Sequence, residues 1–382
     1  MVGAGAIGLS IGWRLAQAGC RVAVFDRGAA GRGASWAAAG MLAAGIEAEP
    51  GEEALYALNR HSQALWPGFA AELQAASGID VGLRQEGTIW AALTRDDAAQ
   101  LRFHHDFQSK LGIHLEWLSG AEARRREPYL HPSIAAAVLS PDDHQVDNRL
   151  VVQALAVAFT RAGGELHENR AVTALDVTGG RVTGLRLDDA REPADLVVLA
   201  AGAWSPGLAG LPEAARPPVR PIKGQMLALA MDPVAPLLRH VMWSGRAYLV
   251  PRRDGRLIVG ATTEERGFDA RLTAGGMLAL LEGAWRAVPG IAELEIVESW
   301  AGFRPGSRDD APVLGPSGVD GLVLATGHHR NGILLTPVTA EAVSRSILTG
   351  RTDPAIRDFS LARFHNSSSP RPMPVLTETN RC

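Results

Sequence analysis

The sequence predicts an α/β fold (α+β overall): a parallel, helix-covered sheet interrupted by a second domain built on an antiparallel sheet. Three observations carry this. The chain opens on Val2-Gly3-Ala4-Gly5-Ala6-Ile7-Gly8, where glycines at G-x-G-x-x-G spacing end a strand and open a helix. Two later hydrophobic runs, 195–205 and 322–327, each end in a small-residue turn, where backbone can meet a ligand. Between them, the runs 247–252 and 256–260 alternate and are separated by Asp254-Gly255, which suits an antiparallel sheet. At 382 residues the chain is too long for one ordinary core, so two domains are expected. The expected boundaries give 1–82, 144–217 and 299–365 to the parallel-sheet domain. Residues 83–143 and 218–298 fall to the inserted domain. The Ser/Pro-rich stretch 366–382 reads as a disordered tail.

The opening motif has a physical reading. Gly3 permits a tight turn, Gly5 lets a pyrophosphate approach the backbone, and Gly8 lets the helix pack on the strand. The N–H groups around Ala6 and Ile7, with the helix dipole, then face the phosphates. Ile7, Ile11, Leu15 and Ala18 recur at helical spacing, and Gly19 is a helix stop. Residues 21–25 read as a second strand ended by Asp26 and followed by Arg27. That acid lies roughly 20 residues beyond the glycines, where a carboxylate meets a ribose hydroxyl. The bland alternative is an ordinary strand–helix–strand turn. Only Met1 and Val2 precede Gly3, whereas a strand usually runs about 5–6 residues. The first strand is therefore expected to be cut short, or the true start lies upstream; either would weaken the central sheet beside the site.

The small-residue stretch 31–42 comes next, with Ser35, Ala39, Gly40, Met41 and Leu42. It reads either as a loop entering an alanine-rich helix or as backbone lying close to a flat ligand, with Ser35 donating to a phosphate. Residues 52–76 read as an amphipathic helix, 86–93 as a strand, and 95–111 and 119–126 as solvated helices. A helix follows over 149–162, then strands over 165–172 and 182–187. The run 195–205 passes through Gly202, and 220–226 opens the antiparallel series. Lys223 in that strand either contacts the cofactor or caps the strand. A helix covers 273–288, and another follows Gly327 to about Leu348.

Composition excludes several classes. A net charge of −3 offers no basic field for nucleic acid. No apolar run reaches the roughly 18–20 residues that span a bilayer, and no signal peptide is visible. Cys20 and Cys382 are the only cysteines, so no structural disulfide is expected and a reducing cytoplasm fits. The histidines show no ligand spacing, so no metal is expected. No G-x-S-x-G elbow is present.

From Val2 to Phe364 the chain resembles the D-amino-acid oxidase superfamily of FAD proteins, and within it the glycine oxidases of thiazole (thiamine) biosynthesis. The resemblance rests on the glycine motif with Asp26, 37–42, 221–225, 248–252, Phe303-Arg304-Pro305 and Gly327-His328-His329-Arg330-Asn331-Gly332-Ile333. It implies a Rossmann-like FAD-binding domain with an inserted antiparallel-sheet substrate domain. It also implies oxidation of glycine, sarcosine or D-alanine by O2, giving an imino acid and hydrogen peroxide. Arg304 matches the arginine that pairs with the substrate carboxylate, and Tyr248 the tyrosine that helps hold it. Met41 and Arg330 stand near substrate and flavin. Ser35 and Met41 match residues along the FAD, and Val172 sits where adenine meets backbone. The final motif, from Gly327 through His329, Asn331 and Gly332 to Ile333, borders the flavin. Neither cysteine is placed for covalent attachment, so FAD is expected to be noncovalent. The relatives suggest a homotetramer.

Elementary chemistry agrees with these roles. A planar guanidinium makes two parallel bonds to a carboxylate and would fix an amino acid's orientation. The alternatives are a structural ion pair of Arg304 with Asp309 or Asp310, and a half-buried strand tyrosine at 248. No strong protein base stands out, and His328 and His329 read as loop residues. The helix after Gly327 would place its N-terminus near the flavin. Other functional readings remain: an amine dehydrogenase passing electrons to a quinone or partner, a catalytically silent dinucleotide-binding protein, and a nicotinamide dehydrogenase.

Overall fold

A buried parallel sheet organises the first half of the architecture. Its strands run Glu165–His167, Ala23–Phe25, Val2, Val197–Leu199, Leu322–Thr326, with Val313–Pro316 antiparallel at the far edge. The computed structural model describes residues 1–365 and Met373. The first strand is indeed minimal: Val2 alone bridges Phe25 on one side and Leu199 on the other. Its N–H reaches Val198 O and its C=O receives Ala200 N–H, so one residue closes the sheet. The Met1 ammonium donates to Ala23 O at 2.6 Å, and burial pushes its pKa down to about 5.

Both faces of this sheet are covered, which explains the unbroken hydrophobic runs. Val198 and Val323 face the helices Ala6–Gln17, Asn148–Arg161 and Thr336–Thr349 through Leu9, Phe159 and Val343. Val197, Leu199 and Leu324 face the other way, against Leu175, Val182 and Leu185 of a small three-stranded sheet. Helix Asn148–Arg161 starts where Asp147 caps it by accepting from the N–H groups of Arg149 and Leu150. Met373 is buried in the helical core, against the expectation of disorder there. The rest of the expected tail, with Cys382, lies outside the described residues.

The second half is one eight-stranded sheet drawn from two stretches of chain. Its order is Ile296–Gly306, Arg220–Ala230, Arg256–Gly260, Tyr248–Pro251, Val241–Trp243, Thr88–Ala92, Ala136–Ser140, Glu116–Ser119. It is antiparallel except where Val241–Trp243 runs parallel to Thr88–Ala92, the pairing that joins the two stretches. The 298/299 boundary expected from sequence falls inside strand Ile296–Gly306, which stays paired to Arg220–Ala230 along its length. Helices Arg95–Lys110 and Gly120–Arg126 begin on capping boxes, Thr94 with Asp97 and Ser119 with Glu122.

Three local expectations are corrected. The alanine-rich helix after Gly33 is a single turn, Ala34–Ala37; left-handed Gly40 (φ 68°) then turns the chain into a short strand, Met41–Leu42. The expected 165–172 strand is two strands in different sheets, broken at Asn169 with φ 55°. The last helix starts only at Thr336, after a 3-10 turn over His329–Asn331. No helix among the described residues is long and apolar enough to cross a membrane.

Candidate active site

One cavity of about 760 Å³ runs from the glycine turn to the face of the large sheet. At its first end Gly3, Gly5 and Ile7 line it with Asp26, Arg27 and Ser35. A Cβ on Gly3 would stand 2.5 Å from Ala200 O, and one on Gly8 would collide with the Gly3 carbonyl. The Asp26 carboxylate accepts from the N–H groups of Ala4 (2.8 Å) and Gly28 (3.0 Å), tying the turn to the second strand. Ser35 Oγ accepts from Ala6 N–H at 3.0 Å. That fastens the 31–42 loop to the helix start and leaves the hydroxyl hydrogen to donate elsewhere. Gly5 has no side chain to cap helix Ala6–Gln17, and apart from Ala6 N–H, which Ser35 takes, its N-terminal end is open to an anion.

At the other end the large sheet presents two polar side chains, each lying over a glycine. Arg304 crosses Gly224 on the neighbouring strand; a Cβ there would meet its guanidinium at 2.8 Å. Tyr248 lies over Gly260, where a Cβ would meet its ring at 2.6 Å. Arg304 Nη1 donates to Thr262 O at 3.1 Å and forms no ion pair with a described carboxylate. The alternative reading of Arg304 as a structural ion pair fails: Asp309 is held by Arg363 at 2.8 Å, and Asp310 faces His329 at 3.3 Å. Burial raises the Tyr248 hydroxyl above its ordinary pKa, while nearby Arg304 acts against that. Tyr248 is therefore a neutral hydrogen-bonding group at physiological pH.

Arg330 also lines the cavity, but its charge is already matched. Its Nη2 donates to Glu52 Oε2 at 2.6 Å, and its Nε lies 3.1 Å from Glu47 Oε2. Glu47 lines the cavity too, and burial pushes its carboxyl up to about 7 despite Arg330. Arg252 is buried where the two sheets meet. Its guanidinium donates to Val146 O (2.5 Å), Gln145 Oε1 (3.0 Å), Ala39 O (2.6 Å) and Asn148 Oδ1 (3.0 Å). It thereby fixes the Ala39–Met41 segment along the cavity wall.

Residues 1–346 match the family described as FAD dependent oxidoreductase. This chain belongs to that family. The glycine oxidase of Geobacillus kaustophilus (strain HTA426) is 38% identical over 95% of this chain and 96% of its own length. The crystal structure of glycine oxidase from Geobacillus kaustophilus superposes with a TM-score of 0.87 at 37% identity, covering 95% of this chain and 97% of that one. The bifunctional protein ThiO/ThiG of Trichormus variabilis (strain ATCC 29413 / PCC 7937) is 35% identical over 98% of this chain. The match covers 56% of that longer protein. FAD is the cofactor, and the cavity suits it: an uncapped helix end, a cradle in which Cβ atoms would clash, and a long apolar-walled trough.

Most of the residues expected around FAD line this one cavity. Ala39, Gly40, Met41, Val172, Gly202, His329, Gly332 and Ile333 are brought together there with the residues already described. Four are not: Ala6, Gly8, Gly327 and Asn331 lie outside its lining. Ala6 spends its N–H on Ser35, and Gly8 is a close-packing glycine. Gly327 makes the left-handed turn (φ 75°) after the strand, and Asn331 is buried beneath the loop. Lys223 is outside as well: its ammonium donates to Arg271 O at 2.6 Å and faces Glu264 at 3.4 Å, a structural role. The expected helix dipole at Gly327 is displaced, since eight residues separate Gly327 from Thr336. Glu47 escaped the sequence reading because it is one of four glutamates in 47–53, and nothing in their spacing marks which of them folding turns toward the cavity.

His328 lines the cavity, is 2% exposed, and has Nε2 3.2 Å from Thr339 Oγ1. Burial pushes its imidazolium pKa down to about 3. In the unfolded chain the ring titrates near 6.5, so unfolding at acid pH takes up a proton that the folded state refuses. This contribution to stability is complete above pH 6.5 and is lost as pH falls toward 3. At pH 5 the loss is about 2 kcal/mol. Histidine NMR, assigned with His328→Asn, is expected to show that this ring does not titrate between pH 8 and 5. A midpoint near 6.5 would refute its neutral burial.

Proposed function

We propose that this chain oxidises glycine and comparable small amines, sarcosine and D-alanine among them, to imino acids. When bound, FAD supplies the acceptor for the Cα hydride and passes the electron pair to O2, giving hydrogen peroxide. Asp26, Ser35 and the open end of helix Ala6–Gln17 would hold the ribose and phosphates. Val172 would border the adenine, and His329, Gly332 and Ile333 the flavin end. Arg304 binds the substrate carboxylate, and Tyr248 donates its hydroxyl to the same group. The single observation behind this reading is Arg304 itself: a cation with no carboxylate partner among the described residues, aimed into the FAD cavity over Gly224. A carboxylate seated there has its orientation fixed, and orientation supplies a large share of the rate.

The parallel-sheet half then acts as the FAD domain and the large sheet as the substrate domain. We place the protein in the cytoplasm, noncovalently loaded with FAD, supplying an imine to thiazole synthesis. The ThiO/ThiG relative supports that setting. Assembly into a homo-oligomer is supported by exposed Leu278 and Trp285 on helix Ala274–Ala287 and by Ile296 and Val297 on the sheet's edge strand.

The test is a visible spectrum recorded during anaerobic addition of glycine and then readmission of air. The flavin bands are expected to bleach with glycine and return with stoichiometric peroxide. A bound flavin that ignores glycine, sarcosine and D-alanine would refute the proposal. Bleaching that only an artificial acceptor reverses would shift it to a dehydrogenase.

A further inference from the structure

The substrate end of the cavity holds more acid than its ion pairs require. Arg330 is satisfied by Glu52, which accepts a hydrogen bond at 2.6 Å. Glu47 stands 3.1 Å from Arg330 Nε, yet its Oε2 is buried without a hydrogen bond among the described residues. Its side chain is 14% exposed, so this is a charge withdrawn from water with one oxygen unmatched. It is also held there deliberately by its neighbours. Asp143, fully buried, accepts from Gly45 N–H at 2.8 Å and Ile46 N–H at 2.7 Å, and Gln63 Nε2 donates to it at 2.9 Å. The residues just before Glu47 are therefore clamped to the turn ahead of strand His144–Gln145.

Above pH about 7, where Glu47 is ionised, the charges that meet around Arg330 are one guanidinium against two carboxylates, Glu47 and Glu52, with Arg304 unpaired beside them. Arg304 is left for one substrate carboxylate, and Arg330, the cation beside Glu47, is already paired and not free to take another. A group attached to the substrate's nitrogen would enter a wall that carries Glu47 rather than a free arginine.

We propose that Glu47 sets the charge specificity of this site: it favours a cationic amine beside the carboxylate held by Arg304 and repels any second anionic group. This rests on the amine-oxidase reading above. It predicts that the enzyme takes glycine and N-methylated glycine but rejects an amine with two carboxylates, such as iminodiacetate. Like charges a few ångströms apart inside a protein repel strongly enough to give discrimination of at least about tenfold. Above pH about 7, where Glu47 is ionised, Gln at position 47 leaves Arg330 with only Glu52 and the cavity gains one net positive charge, so the comparison is made at pH about 9.

The FAD-loaded wild type and Glu47→Gln are compared for kcat/KM on glycine and iminodiacetate. The ratio of iminodiacetate to glycine is expected to rise by about tenfold or more in the variant. A change below about threefold overturns the inference. Acetate and malonate are also titrated against the flavin's visible absorption. Malonate affinity relative to acetate is expected to rise by the same factor in Glu47→Gln. If the wild type does not oxidise glycine, the functional reading fails by itself, and the acetate–malonate ratio still decides the role of Glu47. If Glu47→Gln does not fold, Glu47→Ser removes the same charge and is read by the same two ratios.

Discussion

Arg304→Met is expected to lower kcat/KM for glycine by roughly thirty- to several-thousand-fold, with the flavin spectrum unchanged. The reason is the imbalance of charge at its end of the cavity. Arg330 is matched by Glu47 and Glu52, whereas Arg304 has only neutral polar partners among the described residues, Thr262 O at 3.1 Å and the Tyr248 hydroxyl. Removing one member of a buried, hydrogen-bonded charge pair costs about 2–5 kcal/mol, and each 1.4 kcal/mol is a factor of ten. Most of the loss is expected in KM if the contact is uniform binding, and in kcat as well if it also sets the Cα hydrogen's approach. Arg304→Lys should recover only part, because an ammonium cannot make the paired planar bonds. Steady-state kinetics on the FAD-loaded variants give the answer. A loss under about threefold in Arg304→Met would remove this residue from substrate binding. The methionine is chosen so that the space above Gly224 stays filled.

Arg252→Met is expected to have the largest effect on stability and to loosen FAD. This guanidinium is 5% exposed and, with its pKa lowered by burial to about 10, still protonated at neutral pH. It serves four acceptors on three segments: Ala39, Gln145 with Val146, and Asn148. Methionine fills the space but leaves those oxygens buried and unpaired, a cost of about 3–5 kcal/mol. The expected fall in Tm is roughly 5–15 °C. Because Ala39 and Gly40 line the FAD cavity, cofactor release should precede unfolding of the rest. Fluorescence of released flavin, followed beside scanning calorimetry, measures both. A Tm within about 2 °C of the wild type would show that water replaces the guanidinium at no cost.

How much was legible in the sequence differs by residue. The glycine turn, the helix after it and Asp26 were legible because their requirements are local. A positive φ at Gly3, 101°, and a helix period depend on neighbours a few residues away. Tyr248 and Arg304 stood out through the motifs around them; Gly224 lies in the 221–225 motif, and Gly260 ends the alternating run 256–260. Their purpose, to leave room for those two side chains, needs the neighbouring strand to be in place. Strands Glu116–Ser119 and Ala136–Ser140 were missed. The second is rich in alanine, which has little preference for strand, and only its sheet neighbours hold it extended. The long strand Ile296–Gly306 was missed too, since its outer half exposes Ile296 and Val297 and breaks the pattern of a buried strand.

By itself the sequence determined the α/β class, the dinucleotide turn, the FAD family and the arginine and tyrosine proposed here to face the substrate. Each depends on residues close along the chain or on short motifs whose chemistry is fixed by side-chain type. Only the tertiary structure decided which charges are free. Arg304 and Arg330 look alike in sequence, but Glu47 and Glu52, nearly 280 residues away from Arg330, neutralise one and leave the other open. It also decided that a single residue, Val2, completes the central sheet, because Phe25 and Leu199 come from either side to pair with it. Electrostatic balance and strand closure are sums over groups brought together by folding, and no local pattern contains them.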